Sequence, residues 1–154
     1  MKYYLLLLML LIGAFVFAAK PENPVKINLI PAEKAHANES ATLRLHIEIQ
    51  KGWHIFSEHP EIQGVTATHI ELEPSDAFIV EKIEFPKPVP THSDVFQKTL
   101  GFYTSSVDAQ IQIKIKAGTS GDVPIKGTLQ YQSCSDQLCM PPAKLPFSAT
   151  QPIE

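Results

Sequence analysis

Period-two alternation of apolar and polar residues constrains this chain more than any other feature. Val25, Ile27 and Leu29 alternate with Lys26 and Asn28, and Leu43, Leu45, Ile47 and Ile49 with Arg44, His46 and Glu48. Val107, Ala109, Ile111, Ile113 and Ile115 alternate with Asp108, Gln110, Gln112 and Lys114. Val123, Ile125, Leu129 and Tyr131 follow the same rule around Lys126, Thr128 and Gln130. Successive side chains of a strand point to opposite faces, so each run offers one face to a core and one to water. Weaker strand patterns cover 68–73, 78–85 and 144–149, and no helical period persists beyond a turn or two. Lys51-Gly52, Pro74-Ser75-Asp76 and Gly118-Thr119-Ser120-Gly121-Asp122 supply turns between the runs. About seven short strands with these turns predict an all-β fold, an immunoglobulin-like antiparallel β-sandwich. One stretch, 87–103, breaks the pattern. Pro86, Pro88 and Pro90 hold its start near polyproline geometry, and 91–98 show no alternation. It is predicted to be a long functional loop, in which Phe96 is an apolar residue among polar ones.

The first residues have a different logic. Lys2 precedes an apolar run over 5–17, and the small residues Ala18 and Ala19 follow. This is the pattern of a secretory signal peptide cut after Ala18, with Val16 and Ala18 at the two small-residue positions. The run is shorter than the roughly 20 residues of a membrane-spanning helix. Residues 19–154 are then one domain, long enough to bury its own core, and no later segment is apolar enough to span a membrane. A net charge of −3 without any Lys/Arg cluster argues against a nucleic-acid partner.

Export places the two cysteines, Cys134 and Cys139, in an oxidising compartment, where a bridge between them is the default expectation. They flank Ser135-Asp136-Gln137-Leu138, a turn-compatible segment that follows a strand and precedes Pro141-Pro142. Closing so short a loop stabilises a fold by only about 2 kcal/mol on the chain-entropy model. Spacing leaves three functions open. The pair is a structural staple in a protein-binding sandwich, a redox pair, or part of a metal site. The metal reading would join the cysteines to His54 and His59 for zinc, or to Met140 for cuprous copper.

Tyr131-Gln132-Ser133-Cys134, followed after the turn by Leu138-Cys139-Met140-Pro141-Pro142, resembles the active-site hairpin of the N-terminal domain of DsbD, a periplasmic disulfide reductase. Gly52-Trp53-His54-Ile55-Phe56 is similar to a second segment of that domain. Ser93-Asp94-Val95-Phe96 with Gly101-Phe102-Tyr103 is similar to its cap-loop region. The resemblance implies an immunoglobulin-like sandwich with the cysteine pair on a hairpin at one end, located in the periplasm. It implies thiol–disulfide exchange, in which Cys139 forms the mixed disulfide with a partner and Cys134 resolves it. It further implies that Phe96 caps the pair and that Asp94 is a carboxylate beside it, able to influence thiol protonation. His54, Phe56 and Tyr131 complete the surroundings. The implied partners are thioredoxin-fold proteins or a membrane thiol reductase, engaged by transient mixed disulfides. No metal or other cofactor is called for, because the cysteines are themselves the redox group. The chain departs from the family pattern in four ways. Four residues rather than five separate the cysteines, and His54 and Phe56 stand where the family carries Tyr. Val95 replaces an acid, and the sequence reads as a free-standing chain without the membrane and thioredoxin-like domains of DsbD.

Overall fold

The computed structural model describes residues 23–154, so the expected signal peptide at 1–18 lies outside the described residues. The strands are β1 (Val25–Ile30), β2 (Ser40–Ile49), β3 (His54–Phe56), β4 (His69–Leu72), β5 (Phe78–Glu84) and β6 (Val89–Ser93). They continue with β7 (Lys98–Tyr103), β8 (Val107–Ile115), β9 (Gly121–Tyr131), β10 (Ser133–Cys134) and β11 (Ala143–Ile153). All pairings are antiparallel, and no helix occurs among the described residues.

Three sheets result, with orders β1-β2-β8-β5, β11-β9-β4 and β10-β3-β7-β6. The alternation legible in the sequence becomes the core of the sandwich. Leu43, Leu45, Ile47, Ala109, Ile111 and Ile113 of the first sheet meet Ile70, Val123, Ile125, Leu129 and Tyr131 of the second in one buried cluster. Their polar neighbours Arg44, Glu48, Gln110 and Lys126 face solvent. Such an arrangement is the all-β, immunoglobulin-like sandwich predicted above. Every strong and weak strand prediction is occupied by a strand. β11 is longer than its predicted 144–149 because it pairs on one side only, with β9, and so accommodates Pro146 and Pro152.

The predicted loop over 87–103 is instead a hairpin. β6 pairs with β7 from Val89↔Phe102 to Ser93↔Lys98, and only 94–97 form the connecting turn. β6 is an edge strand and is mostly exposed on both faces, so its sequence has no reason to alternate. An edge also tolerates the missing N–H of Pro90. The hairpin carries its tip, with Phe96, back over the third sheet.

Candidate functional site

The third sheet has two working faces, and strand period decides which residue serves which. On β3, Ile55 enters the main core while Phe56 enters a second buried cluster. On β7, Tyr103 enters the main core while Leu100 and Phe102 join Phe56. The register pairs Phe56 with Phe102 and Cys134 with His54. Directly paired residues share a face, as do residues two apart, so His54, Phe56, Leu100, Phe102 and Cys134 lie on one side of this sheet. Their contacts agree. The ring centroids of Phe56 and Phe102 are 5.0 Å apart, and those of His54 and Phe102 are 4.2 Å apart.

Cys134 ends the short strand β10, and the chain turns back at once to Cys139. The two are bonded, with an S–S distance of 2.04 Å and Cα atoms 4.0 Å apart, and they form an isolated antiparallel bridge. Ser135 closes the turn. Its N–H donates to the Leu138 carbonyl at 2.8 Å, and its Oγ accepts from the N–H groups of Gln137 and Leu138. Gln132 fixes the base of the hairpin. Its Nε2 donates to the Met140 carbonyl at 3.2 Å, and its Oε1 accepts from the Thr66 N–H at 2.9 Å. Cys134 is 1% exposed among Phe56, Leu100 and Phe102, whereas Cys139 is half-buried at the rim with Ile62, Val65 and Phe96. Phe96 reaches this cluster from the β6–β7 turn and meets Phe56 edge-on at 5.8 Å. That turn is held by the Gln97 side chain, which donates to the Asp94 carbonyl at 2.6 Å, and Gln97 itself has a positive φ of 52°.

Asp94 and Tyr131 make their contacts outside this cluster. Asp94 is exposed, with a carboxylate oxygen 3.6 Å from His92 Nε2. Tyr131 is buried in the main core, its hydroxyl donating to Asn23 Oδ1 at 2.5 Å, and burial raises its pKa. The carboxylate whose charge is felt inside the site is Asp136 of the turn. Burial lowers the pKa of His54 below its usual 6.5, while the negative charge of Asp136 acts in the opposite direction. His54 Nε2 is the one buried side-chain nitrogen or oxygen without a hydrogen-bond partner among the described residues. Sequence reasoning does not single out Leu100 or Asp136, and it includes Phe102 and Gln132 only as members of the resembling segments. The spacing of Leu100 and Phe102 is a strand signal, but it was hidden inside the segment read as a loop. His59, from the predicted Cys/His metal set, lines a cleft with Glu58 and His69 that includes neither cysteine nor His54.

A short disulfide between a buried and a half-buried cysteine, in a cluster that an aromatic side chain packs against, can undergo exchange with another thiol pair. The family described as "Thiol:disulfide interchange protein DsbD, N-terminal" matches residues 26–150. No curated protein matches the chain. Among solved structures, the reduced N-terminal domain of DsbD from Neisseria meningitidis is 20% identical, with a TM-score of 0.51 over 88% of this chain and 91% of that one. The N-terminal periplasmic domain of ScsB from Proteus mirabilis is 17% identical, with a TM-score of 0.54 over 87% of this chain and 49% of that one. At these identities the structures establish a common fold, whereas the sequence match spans the hairpin and the β6–β7 turn together. The chain belongs to the family of the N-terminal domain of the thiol:disulfide interchange protein DsbD.

Proposed function

We propose that Cys134 and Cys139 are a redox pair that passes two electrons to oxidised partner proteins, making the chain a component of protein-disulfide reduction. The observation that carries this reading is the unequal exposure of two bonded cysteines, Cys134 buried and Cys139 half-buried, on a hairpin that lies outside the main core cluster. Cys139 is the more exposed of the two residues, which supports its being the one that meets a partner. Its thiolate attacks the partner disulfide, forming a Cys139–partner bond and releasing one partner sulfur as thiolate. Cys134 then attacks Cys139 Sγ, the Cys134–Cys139 bond forms, and the second partner sulfur leaves. The partner gains two electrons and two protons. Phe96 shields the reduced pair from small oxidants and moves aside for a protein partner. Thioredoxin-fold proteins fit as partners because they present an exposed disulfide, and a membrane thiol reductase could reload the pair. Cleavage of residues 1–18 on export would deliver the domain to the periplasm, where such exchange is required.

The test is direct. Reduced protein should convert oxidised thioredoxin to the dithiol. Cys134→Ala should accumulate a mixed disulfide through Cys139 that dithiothreitol releases, and Cys139→Ala should form none. A reduction potential well below about −300 mV would mark an inert staple instead and overturn the reading.

A further inference from the structure

Cys134 poses a chemical problem for exchange. Thiolate, not thiol, is the attacking species, and burial in apolar surroundings opposes thiolate formation. At 1% exposure among Phe56, Leu100 and Phe102, Cys134 is badly placed to hand its proton to bulk water. An acceptor inside the site is needed for the resolving step.

One is in place. His54 is the cross-strand partner of Cys134, and directly opposed residues of antiparallel strands set their Cβ atoms about 5 Å apart. Its Nε2 is buried and unpartnered while the sulfurs are bonded to each other. A buried nitrogen without a partner is unfavourable, and such atoms in folded proteins call for an explanation. Reduction would supply one, because the Cys134 thiol is a donor that the disulfide lacks. The ring lies against Phe102, with centroids 4.2 Å apart. Asp136 of the turn is the charged group that acts on the imidazole. The strands flanking β3 contribute Phe102 and Cys134 to this face, and neither carries a charge while Cys134 is oxidised or a thiol. Burial leaves the imidazole neutral and so with a free nitrogen lone pair before the reaction; it also disfavours the imidazolium, and the Asp136 charge acts against that.

We propose that His54 is the proton acceptor for Cys134 in the resolving step. The inference rests on the redox reading given above. As Cys134 attacks Cys139 Sγ, its S–H proton passes to His54 Nε2, the new S–S bond forms, and the partner sulfur leaves with the electron pair of the mixed disulfide. His54 then returns the proton to the departing thiolate or to water, which restores the unpartnered nitrogen of the oxidised state.

Stopped-flow reaction of the reduced protein with dithiodipyridine separates the two steps. Attack by Cys139 releases the first thiopyridone, and resolution by Cys134 releases the second. In His54→Phe, which keeps an aromatic ring against Phe102, the ratio of second to first rate should fall by about a hundredfold near neutral pH, the usual scale of general-base assistance. The second phase of the variant should also climb steadily with pH where the wild type has levelled off. His54→Gln keeps a hydrogen-bonding atom but takes no proton, so it should be slowed similarly, and it decides the matter if the Phe variant does not fold. A rate ratio within twofold of wild type in the folded variants, or full rescue by Gln, overturns the proposal. Failure of the wild type to release the first thiopyridone would instead sink the redox reading itself. The imidazole ¹⁵N spectrum gives a second readout. The His54 Nε2 signal should move to a hydrogen-bonded position on reduction of wild type, and its staying unchanged would count against the proposal.

Discussion

At the scale of single residues, the site is a set of unequal neighbours. Cys134 is buried and Cys139 accessible, His54 is held neutral by burial, and Phe96 rests on Phe56 from a turn. The His54 shift has a thermodynamic consequence. Its folded-state pKa lies below the unfolded value, so between the two the unfolded chain binds more protons and stability rises with pH. The oxidised protein should therefore lose stability as pH falls below about 6.5, until His54 itself protonates in the fold. Thermal melts across that range should show a loss in wild type that is smaller in His54→Phe. Phe96 lends itself to a different measurement. Phe96→Ala should leave the fold intact at a cost of about 1 kcal/mol for the lost edge-on aromatic contact. Alkylation of the reduced protein by iodoacetamide should become severalfold faster, and an unchanged rate would mean that Phe96 is no cap. Asp94 and Tyr131 were both legible as part of the family motif. Where they point was not legible, because the motif specifies order along the chain and not the direction of a side chain.

At the scale of elements, β3 and β7 organise the site by serving two cores at once. Ile55 and Tyr103 anchor the strands in the sandwich, and Phe56, Leu100 and Phe102 build the floor beneath the pair. Tyr103 is fixed further by its hydroxyl, which donates to Glu58 with the Pro86 carbonyl 3.2 Å away; burial and the Glu58 contact raise its pKa. The central strand β9 shows how tightly the sheets are fitted. It lies between β11 and β4, and a Cβ on Gly127 would sit 2.5 Å from the Phe147 ring and 2.6 Å from the Glu71 carbonyl oxygen. Backbone cannot give way as a flexible side chain can, so Gly127→Ala should destabilise the protein by about 1–3 kcal/mol, measured by urea unfolding. Strands with one buried face were readable because burial imposes period two. β6 was not readable, since it is mostly exposed and its pairing depends on β7 lying beside it.

At the scale of the whole molecule, the redox hairpin and the main core are separable. The cluster that closes the sandwich contains neither cysteine, and the pair belongs to the smaller second cluster. Cys134→Ala/Cys139→Ala, or reduction of the wild type, should thus lower stability by about 2 kcal/mol or less and leave the far-ultraviolet circular dichroism unchanged. Collapse on reduction would show that the hairpin is a staple. The sequence by itself determined the strand class, the main core, the cysteine hairpin and the family, because alternation and short contiguous motifs are local properties. Only the tertiary structure decided which face each site residue serves. It brought His54 opposite Cys134, turned 87–103 into a hairpin that sets Phe96 against Phe56, and placed the Asp136 charge where it acts on His54. The physical reason is that cross-strand register and burial are set by which strands lie side by side, as when His54 meets Cys134, and no pattern along one strand encodes its neighbour.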